Sequence, residues 1–504
     1  MVTAPLADTE QGRPLKPMSI HDILFVTSEV HPLIKTGGLA DVSGSLPVAL
    51  RSLRRDVRII LPGYRSAIAN AGALTEKARF NIHGFDIPVT ILEGRLPGSK
   101  VVVWLVDSPP HFDRPGGPYN DETGRDWPDN AQRFTVFARA VEKIALNEAG
   151  LDWQPDVVHC NDWQSGLVPA LLAPRRPRPA TIFTIHNLAY QGLFSWDEFQ
   201  TLHLPQTLWS MHAMEFYGKF SFIKGGIVFA DMISTVSPNY AREITTPEYG
   251  CGLEDLLKTR AERLVGILNG ADYSQWNPAK DPYLKRTYNA YTIEHKADNK
   301  AALQAYFKLP REPRTPLIGL VGRLVEQKGF DLLLAILPQL LQRQVQLVIL
   351  GSGDKSLEAR LKRATIDYPR QVAARIGYDE ALAHQIEGGA DMFLMPSRYE
   401  PCGLNQIYSL RYGTLPIVRR TGGLANTVVD ASEKNIANRT ATGIVFDEAT
   451  PEALLAAIDR ALALYRQPRL WKKVIFNAMQ QDFSWRRSAR QYLSLYQRAR
   501  SLSE

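Results

Sequence analysis

Short apolar runs rich in β-branched residues recur along the chain, each about a strand long and several followed by a polar cluster. In the first half they are Ile23-Leu24-Phe25-Val26 and residues 57–61, 101–106, 156–159, 181–185 and 232–236. Helical patterns separate several of them. The clearest spans about Asn130 to Asn147, where Phe134, Phe137, Val141 and Ile144 share one face and Gly150 follows as a stop. Strand-like runs that alternate with helices predict a parallel sheet covered on both faces, and such a sheet binds ligands at the carboxyl ends of its strands.

Between Asn269 and Ala301 the rhythm gives way to turn formers, Asn269-Gly270-Ala271-Asp272 and Asn277-Pro278-Ala279-Lys280-Asp281-Pro282. It then restarts at residues 317–321, 347–350, 392–395, 417–418 and 444–446. The fold class is therefore α/β, with two Rossmann-like doubly wound domains in series. The boundaries fall at 1–20 for a disordered leader, 21–270 and 271–480 for the two domains, and 481–504 for a final amphipathic helix. In that helix Trp485, Ala489, Tyr492 and Tyr496 stand at helical spacing. Thr421-Gly422-Gly423-Leu424-Ala425-Asn426 nearly repeats Thr36-Gly37-Gly38-Leu39-Ala40-Asp41, again after a strand.

Composition narrows this picture without redirecting it. A chain of 504 residues exceeds one typical core, and 45% hydrophobic with 22% charged residues is ordinary for a soluble globular protein. The net charge of +7 is scattered, which favours small anionic ligands and argues against nucleic acid. Three distant cysteines, Cys160, Cys251 and Cys402, suggest neither a disulfide framework nor a zinc cluster, and a reducing cytoplasm fits them. No apolar stretch reaches membrane-spanning length.

The candidate chemistry sits where the strands end. After the first strand, Lys35, Gly37 and Gly38 precede a helix-like segment, so close backbone amides, a helix start and a mobile cation face one spot, as an anion requires. Asn161-Asp162 and His186-Asn187 follow two further strands. In the second half Arg323 and Lys328 can reach one anion. Gly351-Ser352-Gly353 has Ser356 where a dinucleotide fingerprint needs its third glycine, which rules against a standard NAD site. Glu400-Pro401-Cys402-Gly403-Leu404-Asn405 places an acid suited to sugar hydroxyls beside helix-start amides suited to phosphate. Together these describe a site for a sugar joined to a diphosphate. Each has a plainer reading: a tight turn at Gly37-Gly38, a solvated pair at Arg323 and Lys328, a helix N-terminal acid at Glu400.

In order and in register, Lys35-Thr36-Gly37-Gly38-Leu39, His186-Asn187-Leu188, Asn269-Gly270, Gly322-Arg323 with Lys328-Gly329, and Glu400-Pro401-Cys402-Gly403-Leu404 match the motifs of one family. From about residue 21 onward the chain resembles the bacterial glycogen synthases and the related plastid starch synthases. The resemblance implies the two-domain GT-B glycosyltransferase architecture, with the C-terminal helix crossing back to the first domain. It implies transfer of glucose from ADP-glucose to the nonreducing end of an α-1,4-glucan such as glycogen, with retention at the anomeric carbon. It also implies that Arg323 and Lys328 hold the diphosphate with the amides of Gly38 and Leu404, and that Tyr378 stacks on adenine. Glu400 would hold a glucose hydroxyl, while His186, Asn187 and Asn269 line the donor sugar. Lys35, Gly37, Asp41, Cys402, Gly403 and Asn405 also fall on donor-side positions, and Tyr119 and Asp162 on cleft positions.

Departures occur at Gln164, where many relatives carry His, at Asn405, where some carry Thr, and at Tyr408, where many other glycosyltransferases carry a second Glu. ADP-glucose is a substrate, so no cofactor is implied. No Asp-x-Asp occurs in the chain, and no metal is expected. Competing readings are a noncatalytic nucleotide-sugar or glucan-binding regulator of the same fold, a plastid starch synthase, and an α-glucan phosphorylase needing a pyridoxal phosphate lysine.

Overall fold

In a computed structural model of the protein, residues 20–85 and 87–503 are described. The expected disordered leader, 1–20, lies outside the described residues except for Ile20. The strands run β1 Asp22–Val26, β2 Asp56–Pro62, β3 Thr75–Asn81, β4 Pro88–Arg95, β5 Val102–Asp107, β6 Val157–Asn161, β7 Ala180–Ile185, β8 Leu193–Phe194, β9 Glu215–Phe216, β10 Lys219–Ser221, β11 Met232–Thr235 and β12 Leu264–Gly266. Nine of these form one sheet in the order β12-β11-β7-β6-β1-β2-β5-β4-β3, and β8, β10 and β9 make a small separate sheet.

The second lobe carries β13 Leu317–Val321, β14 Gln346–Gly351, β15 Val372–Ile376, β16 Met392–Met395, β17 Leu415–Arg419 and β18 Ile444–Phe446. These form one sheet in the order β15-β14-β13-β16-β17-β18, parallel throughout. Its central strands β13, β14 and β16 are buried on both faces and read as nearly continuous apolar runs, as covered parallel strands do, while the edge strand β15 is partly exposed.

The first sheet departs from the expected all-parallel form. β3 and β4 pair antiparallel with each other, and β4 pairs antiparallel with β5. β3 is an exposed edge strand, Thr-Glu-Lys-Ala-Arg-Phe-Asn, so it lacks the aliphatic run that marks a buried strand.

Parallel register brings the strand ends into line. Val26 pairs with Cys160, Asn161 with Thr184, and Ile185 with Thr235, so the residues just beyond them emerge along one edge. Val321 pairs with Leu350, Gly351 with Ile376, and Met395 with Val418, which does the same for the second lobe. Each lobe has its own apolar core.

The chain passes between the lobes twice, and the passages touch. Ala271 N–H donates to Phe483 O at 2.7 Å, and Gly270 packs so closely on Trp485 that a Cβ there would lie 2.7 Å from its backbone. The C-terminal helix Trp485–Ser503 then joins the core of the first lobe through Tyr492, Leu495, Tyr496 and Ala499. The buried His159 ring of β6 meets it, with Nδ1 2.9 Å from the Tyr496 hydroxyl. Among the described residues no helix is long and apolar enough to cross a membrane.

Candidate active site

The two strand-end edges face each other across a cleft of about 1010 Å³. Residues 35, 37, 38, 41, 119, 162, 186, 187, 269, 323, 328, 378, 400 and 402–405 all line it. The structure thus gathers into one space every residue that the family resemblance assigns to the site, whereas Asn161, just before Asp162, lies outside the lining.

At its floor Lys328 Nζ donates to Glu400 Oε2 at 2.5 Å, and Ser397 Oγ donates to the same oxygen at 3.0 Å. Arg323 reaches across the lobes and donates through Nη1 to the Tyr190 hydroxyl at 3.2 Å. The loop carrying Glu400 is pinned from behind. Gly423 N–H donates to the carbonyls of Glu400 and Pro401, each at 3.1 Å, and the Ser237 hydroxyl of the first lobe donates to Pro401 O at 2.6 Å. Gly422 has φ +44°, and a Cβ there would stand 1.8 Å from Glu400 O, so only glycine fits.

The first-lobe wall begins with the glycine loop. The buried Glu29 accepts from Thr36 N at 2.5 Å, Thr36 Oγ1 at 2.5 Å, Gly37 N at 3.3 Å and the Tyr119 hydroxyl at 2.6 Å. It thereby ties the loop and Tyr119 to the end of β1. The helix Gly38–Ser52 follows with no side chain capping its start, and its buried face is Leu39, Val42, Leu46 and Leu50. A Cβ at Gly37 or Gly38 would meet nothing within 4 Å, so this backbone borders open cleft. Lys35 pairs with Asp41 at 2.8 Å.

Deeper in, Asp162 adopts φ +55°, a strained conformation for a non-glycine residue, and Oδ1 accepts the N–H of His186 at 2.7 Å and of Asn187 at 3.4 Å. Burial pushes its carboxyl up to about 7, with those N–H groups opposing and the Glu29 charge adding. His186 donates through Nε2 to Asn161 Oδ1 at 2.9 Å, and burial pushes its ring down to about 3, so the imidazole is neutral. Asn269 Oδ1 and Gln164 Oε1 are buried in the cleft wall with no hydrogen-bond partner among the described residues. Such orphaned acceptors suit hydroxyl donors.

On the second lobe Gly403 and Leu404 lead into the helix Asn405–Tyr412, whose start is also uncapped by a side chain. Asn405 donates through Nδ2 to Val321 O at 2.8 Å and so ties this helix to the end of β13. Burial pushes the Cys402 thiol up to about 12, which makes it a packing group and not a nucleophile. Tyr378 stands at the lip, 73% exposed. Tyr408 lies flat against Trp276, ring centroids 3.9 Å apart.

Sequence reasoning missed Glu29, Ser397, Tyr190 and Glu380 as cleft residues. For Glu29 a signal existed, because Thr27-Ser28-Glu29 is a polar cluster directly after β1, the same pattern that marked Asp162 and His186.

Two Rossmann-like lobes that close on a cleft lined by Glu400, by the cations Lys35, Arg323 and Lys328 and by two uncapped helix starts define a glycosyltransferase. Residues 22–259 match the family described as starch synthase catalytic domain, and residues 304–477 match glycosyl transferases group 1. The chain is 58% identical over 476 residues to glycogen synthase of Thioalkalivibrio sulfidiphilus, covering 94% of this chain and 99% of that protein. It is 55% identical over 478 residues to glycogen synthase 2 of Nitrosococcus oceani, covering 95% and 97%. The chain belongs to the bacterial glycogen synthase family. Among solved structures, the catalytic domain of starch synthase IV from Arabidopsis thaliana, bound to ADP and acarbose, superposes with a TM-score of 0.86 at 33% identity, covering 96% of this chain and all of that one. A sucrose-phosphate synthase from Thermosynechococcus elongatus shares the fold, with a TM-score of 0.59 at 19% identity and 94% and 98% of the two chains covered.

Proposed function

We propose that this glycosyltransferase lengthens α-1,4-glucans in the cytoplasm by moving glucose from ADP-glucose to the nonreducing end, with retention and without a divalent cation. Residues 21–270 form the acceptor side on this reading, residues 271–480 the donor side, and residues 481–504 the helix that ties them. The observation that carries it is the convergence of Lys328, Arg323 and the helix starts at Gly38 and Leu404 on the cleft that holds Glu400.

As ADP departs, negative charge builds on the diphosphate and positive charge on the sugar ring. Lys328, Arg323 and the amides of Gly38 and Leu404 stabilise the first, which is where electrostatic preorganisation contributes most. Glu400, already oriented by Lys328 and Ser397, takes a sugar hydroxyl and faces the second. The orphaned oxygens of Asn269 and Gln164 accept further hydroxyls.

Asp162 is committed to the N–H groups of His186 and Asn187 and holds that loop. His186 is neutral, and Cys402 is protonated. On this reading none of the described cleft residues serves as a covalent nucleophile, Glu400 being held by Lys328 and Ser397, and the acceptor hydroxyl attacks from the face that ADP leaves, through a short-lived ion pair. The relatives named glycogen synthase support the acceptor, and the starch synthase structure bound to ADP supports the nucleotide.

The test is to incubate the protein with ADP-glucose and a short malto-oligosaccharide and to read the products by chromatography and proton NMR. A ladder growing by single glucose units with new α-1,4 linkages is the expected outcome. A β linkage would overturn retention, and release of glucose without chain growth would overturn the transferase reading.

A further inference from the structure

A chain of contacts runs from the core of the second lobe out to the cleft lip. Asp281, its side chain fully buried, accepts from His384 Nδ1 at 2.8 Å and from the Tyr412 hydroxyl at 2.5 Å. The other ring nitrogen of His384, Nε2, lies 3.8 Å from Glu380 Oε1. Glu380 Oε2 accepts the hydroxyl of Tyr378. The whole line is braced by an aromatic stack, since Trp276 lies between His384, at 3.7 Å and 14°, and Tyr408, at 3.9 Å and 2°.

The charges along this line support one another. Burial opposes a charge on His384, yet its contacts with Asp281 and Glu380 outweigh that and raise its pKa. Glu380 is pulled down to about 2, first by His384, against burial, and then by Tyr378 and by Lys35 across the cleft. Lys35 Nζ stands 6.0 Å from the centre of the Tyr378 ring. A mostly exposed tyrosine is thus tethered by its hydroxyl to a carboxylate that is itself fixed from the core.

We propose that Glu380, held by His384 and Asp281, is a positioning residue for Tyr378, fixing the ring at the lip as a preformed platform for the nucleobase of the donor. This rests on the reading of Tyr378 as the ring that stacks on adenine. An untethered exposed side chain would have to be ordered at each binding event, and fixing it beforehand removes that entropic cost from donor affinity. The tether acts on binding and not on the reacting atoms, so its loss belongs in KM and in ADP affinity, not in kcat.

The experiment compares wild type with Tyr378→Ala, Tyr378→Phe, Glu380→Ala and the Tyr378→Phe/Glu380→Ala double variant. It measures kcat and KM for ADP-glucose, ADP affinity by titration calorimetry, and thermal unfolding. Tyr378→Phe keeps the ring and its stacking face and removes only the tether. Both Tyr378→Phe and Glu380→Ala should weaken ADP binding and raise the donor KM roughly five- to tenfold, the cost of ordering one freed side chain at each binding event, with kcat close to wild type. The double variant should be no worse than either single change, because both cut the same link. Tyr378→Ala that weakens ADP binding while Tyr378→Phe behaves as wild type would overturn the tether and leave the base platform standing. Unchanged ADP affinity in Tyr378→Ala would remove the platform itself, and the tether with it. Additive losses in the double variant, or a fall in kcat, would also overturn the positioning role.

Discussion

Lys328 and Glu400 form a charge pair at the cleft floor with side chains only 23% and 7% exposed, and their opposite charges suit the opposite ends of a nucleotide sugar. On the proposed mechanism the cation faces the leaving diphosphate and the carboxylate faces the sugar. Lys328→Ala should therefore raise the KM for ADP-glucose roughly 10- to 100-fold, the equivalent of about 1.5–3 kcal/mol for a charge-assisted contact, while glucan affinity stays near wild type. Glu400→Gln keeps the shape and removes the charge, and should lower kcat by roughly two to three orders of magnitude. Steady-state kinetics with both substrates decides this, and equal losses of donor and glucan affinity in Lys328→Ala would point to a damaged fold. Both residues were legible in the sequence because each follows an aliphatic strand inside a distinctive cluster. Glu29 carried the positional signal of a polar cluster after β1, but that it is spent on the amides of its own loop shows only in the structure. The Arg323–Tyr190 contact was not legible either, because it joins residues 133 positions apart on different lobes.

At the scale of elements, two nearly identical glycine segments do different work. At Gly37 and Gly38 an added Cβ would meet open cleft, whereas at Gly422 it would strike Glu400 O and at Gly423 it would lie 2.1 Å from Cys402 O. The first segment leaves room for a ligand; the second lets one turn of backbone press against the loop that carries Glu400. Gly38→Ala should fold with wild-type thermal stability and lose donor affinity. Gly422→Ala should lower the melting temperature and displace Glu400, so that kcat falls as well. Equal melting curves for the two variants would contradict this division. Sequence similarity hid the difference because it records the residues of a segment and not what packs against them.

The C-terminal helix supplies a pH dependence. Burial pushes the His159 ring, against Tyr492 and Tyr496, from an ordinary 6.5 down to about 3. Its folded pKa lies below its unfolded one, so the unfolded chain binds the extra proton between those values. Stability is then intact above pH 6.5 and declines as pH falls towards about 3, by at most about 1.4 kcal/mol per pH unit for this group. Urea unfolding at pH 7.5 and 5.5 should show a smaller loss of stability in His159→Gln than in wild type. An equal loss would mean that this ring does not carry the dependence.

For the whole molecule, the two-lobed plan was readable because buried parallel strands announce themselves as aliphatic runs. The exposed β3 and the short strands β8 to β10 were not, since β3 carries no aliphatic run and β8 to β10 span only two or three residues each. The contacts that join the lobes were beyond reach for a different reason: they are polar and local to neither lobe. Asn239 N–H donates to Asn426 Oδ1 at 2.9 Å, and Glu243 accepts from Gly422 N at 2.9 Å and from Thr421 Oγ1 at 3.2 Å. They hold the second glycine segment, and through it Glu400, against the first lobe.

Catalysis on this account needs both lobes and the protein's own cations, and no added metal. The most direct measurement is incorporation of labelled glucose into glycogen from ADP-glucose and from UDP-glucose, side by side, with and without excess EDTA. The account predicts rapid incorporation from ADP-glucose that EDTA leaves essentially unchanged, and much slower incorporation from UDP-glucose. No incorporation from ADP-glucose, or incorporation that EDTA abolishes and magnesium restores, would contradict it.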